Sequence, residues 1–105
     1  MYMNTNTVFK ALSNPLRIQI LTWLRSPEKH FSEMIHLPEN EKGKGYVCVS
    51  AIQEKAEVTQ STTSHYLNLM RQAGLLSSKR IGQWTYYRRN NEIISKVADF
   101  IANEL

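Results

Sequence analysis

The chain has 105 residues, 42% hydrophobic and 21% charged, with four Gly, three Pro and one Cys. That length holds one modest core, and the composition excludes disordered, collagenous and low-complexity chains. Thirteen Lys and Arg against nine Asp and Glu give a net charge of +4, no apolar run approaches the roughly 18 residues of a membrane helix, and a single cysteine cannot form an internal disulfide. The opening MYMNTNT lacks a basic region followed by an apolar stretch, so the expectation is a cytoplasmic chain without a secretory signal.

Thr5 to Ser13 carries Val8, Phe9 and Leu12, the spacing of a short amphipathic helix. Asn14-Pro15 restarts the chain. Asn14 suits an N-cap, and Pro15 suits the first helical position, where a missing N–H costs nothing. The second helix runs from Pro15 to about Arg25, with Leu16, Ile20 and Leu24 in one stripe that Ile18, Leu21 and Trp23 broaden. Ser26-Pro27 ends it. Pro27 to Gly45 reads as a long connection with a short helical turn near Phe31 to Ile35.

Val47 to Ala56 reads as a third helix with Val49, Ile52 and Ala56 inward. After a tight turn at Glu57-Val58, Thr59 is the N-cap of a fourth helix from Gln60 to about Ala73. Thr63, Leu67, Met70 and Ala73 share its inner face; Ser61, His65, Asn68 and Gln72 share the outer. Gly74 supplies the left-handed residue that stops it. Leu75 to Arg80 and Trp84 to Arg89 flank a Gly82 centre, a β-hairpin signature. Asn90-Asn91 caps a last helix, about Glu92 to Asn103, with Ile93, Ile94, Val97, Phe100 and Ile101 as its apolar stripe.

The fold class is therefore mainly α with a β-hairpin wing, one domain over residues 1–105. Two short helices joined by a tight turn, with a hairpin after the second, is the layout of a winged helix-turn-helix. The charge agrees. Gln60 to Asn91 holds Arg71, Lys79, Arg80, Arg88 and Arg89 and no acid, so the rest of the chain, with eight basic and nine acidic residues, nets −1. A contiguous basic surface suits a polyanion. Gln60, Ser61, Thr62, Ser64 and His65 open the fourth helix with uncharged or basic polar groups. These read base edges without repelling phosphates. Arg71, Lys79, Arg80, Gln83, Arg88 and Arg89 are candidates for backbone and minor-groove contacts. The hairpin cations also have a plainer use, discouraging edge-to-edge aggregation. Trp84, Tyr86 and Tyr87 are read as anchors of the hairpin to the body.

Three stretches together resemble the ArsR/SmtB family of bacterial winged-helix repressors. They are Ala11 to Leu21 (ALSNPLRIQIL), Thr59 to Leu76 (TQSTTSHYLNLMRQAGLL) and Arg80 to Tyr87 (RIGQWTYY). The resemblance implies a homodimer on a near-palindromic double-stranded operator, released by an inducer the sequence does not identify. It implies a dimer interface from the first and last helices: Val8, Phe9, Leu12, Ile93, Ile94, Val97, Phe100 and Ile101. The alternative is that these stripes close the chain's own core.

The family's metal sensors carry a Cys-x-Cys-Asp pattern where this chain has Cys48, Ser50 and Ala51. One thiol is too few for a soft-metal site, so no metal and no cofactor are expected. Cys48 would need His30 or His36 as distant partners. Other members bind zinc on the last helix through His and carboxylates; Asp99 and Glu104 are present there, but no His. Three readings stay open beside the repressor: a thiol or metalloid sensor using Cys48, a winged-helix protein–protein module, and a small cysteine enzyme. No motif supports the last, and an enzyme is not expected.

Overall fold

A computed structural model describes residues 4–105; Met1 to Met3, part of the leader reading, lie outside the described residues. In chain order the elements are α1 (Thr5–Leu12), α2 (Pro15–Arg25), α3 (Pro27–His30), a 3-10 turn (Glu39–Glu41), β1 (Val47–Cys48), α4 (Val49–Ala56), α5 (Gln60–Gln72), β2 (Leu76–Ile81), β3 (Trp84–Arg89) and α6 (Asn91–Glu104).

The local signals act as read. The Asn14 side-chain oxygen accepts from the backbone N–H groups of Leu16 and Arg17 at 2.9 and 3.1 Å, and Pro15 opens α2. Thr59 Oγ1 accepts from Thr62 N at 3.1 Å. Asn90 Oδ1 accepts from Ile93 N at the start of α6. The end of α5 is a Schellman closure: Leu75 N donates to the Met70 carbonyl and Gly74 N to that of Arg71, both at 2.9 Å. Gly74 has φ +83°, a conformation that glycine adopts without steric cost. The hairpin has a two-residue loop, with Ile81 opposite Trp84. Its positive φ falls on Gly82, the position a type II′ turn reserves for glycine.

Two expectations need correction. The helical turn in the long connection is at Pro27–His30, with a second at Glu39–Glu41, and Phe31 to Ile35 is not helical. The reason is the one that starts α2: a proline at the first helical position begins a turn as readily as it ends the previous one. The third helix begins at Val49, because Val47 and Cys48 form a short strand opposite Tyr87 and Tyr86. The hairpin thereby becomes a three-stranded antiparallel sheet, ordered β1-β3-β2.

Val8, Ala11, Ile20, Leu24, Ile52, Leu67, Met70, Leu75, Ile93 and Val97 are buried in one cluster that gathers α1, α2, α4, α5 and α6. Each large apolar side chain so buried contributes about 1.5–3 kcal/mol. The core lies directly behind α5 and holds its inner face, Thr63, Leu67, Met70 and Ala73, as the periodicity requires. Val8, Ile93 and Val97 are spent on this core within the chain. Phe9 and Ile101 are exposed, and Phe9 meets Phe100 with ring centroids 6.3 Å apart. The apolar stripes of α1 and α6 thus divide between an inner and an outer set.

Candidate nucleic-acid interface

The seating of α5 depends on the start of α2. Asn14 Nδ2 donates to the Tyr66 hydroxyl at 3.3 Å. The Arg17 guanidinium lies over the Tyr66 ring, 4.8 Å from its centroid. Arg17 is itself buried and turns its donors on the end of α1, with Nε to the Ala11 carbonyl at 2.7 Å and an Nη to that of Lys10 at 3.2 Å. A buried cation is tolerable here because it meets the negative end of a helix and the face of a ring. One side chain therefore ties α1, α2 and α5 together. Sequence reasoning took Arg17 only as part of a motif; its burial comes from tertiary contacts that periodicity does not encode.

With α5 so placed, Gln60, Ser61, Ser64 and His65 are exposed on its outer face. Among the described residues, none of the four has a side-chain hydrogen bond to the rest of the chain, so their donors and acceptors are available. Thr62 differs. It is half-buried, and its hydroxyl accepts from Thr59 Oγ1 at 3.0 Å, so it belongs partly to the cap. Arg71 is exposed on the last turn, where it donates to Asn68 Oδ1 at 2.8 Å.

The hairpin cations are less uniform than their sequence suggests. Arg80 and Gln83 stand exposed near the tip. Lys79 does not stand free. Its ammonium is 2.6 Å from Glu41 Oε1, on a carboxylate that is itself buried. That bond holds the Glu41 carboxyl below its ordinary value and raises the Lys79 ammonium above its own. Lys44 also approaches Glu41, at 3.8 Å. Arg88 packs over the Tyr46 ring at 4.6 Å and donates to the Lys44 carbonyl at 3.3 Å. Arg89 is half-buried at the base of the hairpin, opposite Leu76; burial and the nearby Arg25 lower its pKa. The expected set thus falls into an exposed tip, Arg80 and Gln83, two cations engaged with the 41–46 segment, Lys79 and Arg88, and Arg89 at the base. The acid that meets Lys79 lies 38 residues away in sequence, outside the acid-free stretch that identified the surface.

The hairpin is anchored by its aromatic residues. Tyr86 is buried, which pushes its phenol pKa up. Trp84 stacks on His36, with centroids 4.8 Å apart and planes 11° from parallel. Cys48 is half-buried, with Sγ 3.3 Å from Ser50 Oγ. Among the described residues, no three His, Cys, Asp or Glu side chains are grouped to hold a metal ion.

This arrangement, a helix pair with a hairpin directly after its second member, recurs in known proteins. A profile of the arsR family of bacterial regulatory proteins matches residues 43–78. The HTH-type transcriptional regulator YbzH of Bacillus subtilis is 49% identical over 98 residues, covering 93% of this chain and 95% of YbzH. The chain belongs to the arsR family of bacterial regulatory proteins. The family consists of regulators, not enzymes. The transcriptional repressor SdpR of Bacillus subtilis is 29% identical over 93% of this chain and 89% of its own length. A homodimeric winged helix-turn-helix DNA-binding domain from Mycobacterium bovis superposes with a TM-score of 0.61 at 25% identity, over 96% of this chain and 83% of that one. The winged helix-turn-helix fold and its use in transcription regulation are thereby those of the arsR family. Among the described residues no helix is long and apolar enough to cross a membrane.

Proposed function

We propose that this arsR-family regulator is a cytoplasmic homodimeric repressor, a single winged helix-turn-helix domain over residues 1–105. It binds a near-palindromic operator and leaves it when an inducer binds. In this reading α5 enters the major groove, and Gln60, Ser61, Ser64 and His65 meet base edges there, with Thr62 at the adjoining phosphate. Arg80 and Gln83 reach the neighbouring backbone or minor groove, and Arg71, Lys79, Arg88 and Arg89 add positive field behind them. The observation that carries the reading is the outer face of α5: it is polar and free of acid, and among the described residues the side chains of Gln60, Ser61, Ser64 and His65 make no hydrogen bond to the chain. The dimer surface uses the outer set of α1 and α6, namely Phe9, Leu12, Ile94, Phe100 and Ile101. Val8, Ile93 and Val97 support it from the core. A two-fold pair of recognition helices then matches two half-sites.

A gel shift with the DNA upstream of the protein's own gene tests this. The expected result is a retarded band that unlabelled copies of the same duplex compete away and a scrambled duplex does not. Equal competition by both would overturn the operator reading.

A further inference from the structure

We propose that the groove between the Pro27–Gly45 connection and the base of the hairpin binds a small carboxylate with a flat apolar body, its head group held by Arg25 and Arg89. The groove has a volume of about 650 Å³ and is lined from both sides by these two elements. That is within the size range of sites for small organic molecules. Its apolar lining comes from Leu24, Phe31, Met34, Leu37 and Val47, with Tyr46 beside them. Leu24, Leu37 and Val47 are buried, so they form a fixed floor.

Charge selects the head group. The lining holds five cations, Arg25, Lys42, Lys44, Arg88 and Arg89, against two carboxylates, Glu28 and Glu33. Three of the cations are already engaged. Lys42 pairs with Glu33 and Glu39, Lys44 with Glu41, and Arg88 packs on Tyr46. Arg25 and Arg89 differ: both line the groove, and among the described residues neither has an ion pair or a side-chain hydrogen bond. Arg89 is half-buried beside a like charge, and its pKa is lowered accordingly. Two unpartnered guanidinium groups lining one groove suit a carboxylate, which accepts from planar donors in pairs. The aromatic walls, Phe31 and Tyr46, suit a flat ring in preference to a sugar or a bare anion.

The site would also explain the long connection. A ligand there bridges the connection to the base of the hairpin, two strand positions from Tyr87 and next to the Arg88 contact with Lys44. Any effect on DNA binding rests on the repressor reading; the binding itself does not.

The test is an amide NMR titration of the DNA-free protein with indoleacetate, and with its uncharged analogue indoleacetamide. The expected result is saturable shifts at Phe31, Met34, Tyr46 and Arg89, with the amide weaker by about tenfold. Arg25→Gln and Arg89→Gln should each weaken indoleacetate by about tenfold, and Arg80→Gln, outside the groove, should leave it unchanged. The spectra report folding directly, and Arg25 is exposed, so its variant serves even if Arg89→Gln unfolds. Equal binding of acid and amide overturns the proposal. So does matching of the same shifts by inorganic phosphate, retention of wild-type affinity in Arg25→Gln, or a lack of saturation. If binding holds but operator affinity does not respond to indoleacetate, the coupling fails and the site stands.

Discussion

The recognition helix and the hairpin both carry polar residues to the proposed DNA surface, but they hold them differently. On α5, the side chains of Gln60, Ser61, Ser64 and His65 make no hydrogen bond among the described residues. At the hairpin, Lys79 is bonded to Glu41 and Arg88 to the 44–46 segment, and Arg89 is drawn back to the base. The lesson is that polar groups with no local use are available for reading, whereas a run of cations attracts the protein's own acids. The linear count of +5 over Gln60 to Asn91 therefore overstates the charge the hairpin can offer.

The largest expected effect is on α5. Ser64→Glu places a carboxylate on the reading face and should weaken operator binding by about a hundredfold, measured by fluorescence anisotropy. A loss smaller than that of Arg80→Ala would invert the comparison. Next is the support of α5. Arg17→Met keeps the volume but removes the donors to the Ala11 and Lys10 carbonyls and the cation over the Tyr66 ring, and should lower the unfolding free energy by about 2 kcal/mol in urea titrations.

The two regions also differ in how far sequence alone revealed them. The limits of α5 were legible because Thr59 and Gly74 are local signals: a side-chain cap and a left-handed stop act within one turn. The same holds for Asn14-Pro15 and for Gly82. The hairpin's strands were legible too, but its electrostatics were not. The Glu41–Lys79 bond spans the fold, and nothing near either residue announces the other. The strand Val47–Cys48 was missed because two residues carry no period; it exists only through its pairing with β3. Phe9 and Val8 are neighbours in one helix stripe, yet one is exposed and the other buried, since only packing decides which edge of a stripe a core reaches.

Smaller effects sharpen the division within the hairpin. Arg80→Ala should weaken binding to every DNA sequence by several-fold and reduce the salt slope by about one. Lys79→Ala should do less, because Glu41 already holds that ammonium. Glu41→Gln should strengthen binding slightly by freeing it. The same pair predicts a pH dependence. Since the folded state lowers the Glu41 pKa, its contribution to stability is present above the ordinary carboxylate value and is lost as pH falls through the lowered one. Since it raises that of Lys79, the ammonium's contribution is present below its ordinary value and is lost as pH rises through the raised one. Thermal unfolding midpoints of Glu41→Gln should respond less to acid than those of the natural chain.

We propose that α5 reads sequence while the hairpin supplies position. The most direct test compares the affinities of the natural chain and of a Ser61→Ala, Ser64→Ala, His65→Ala triple variant for the upstream duplex and a scrambled duplex, at one salt concentration. The expected result is that the natural chain prefers the upstream duplex and that the variant binds both equally, at the scrambled level. A variant that keeps the preference would contradict it.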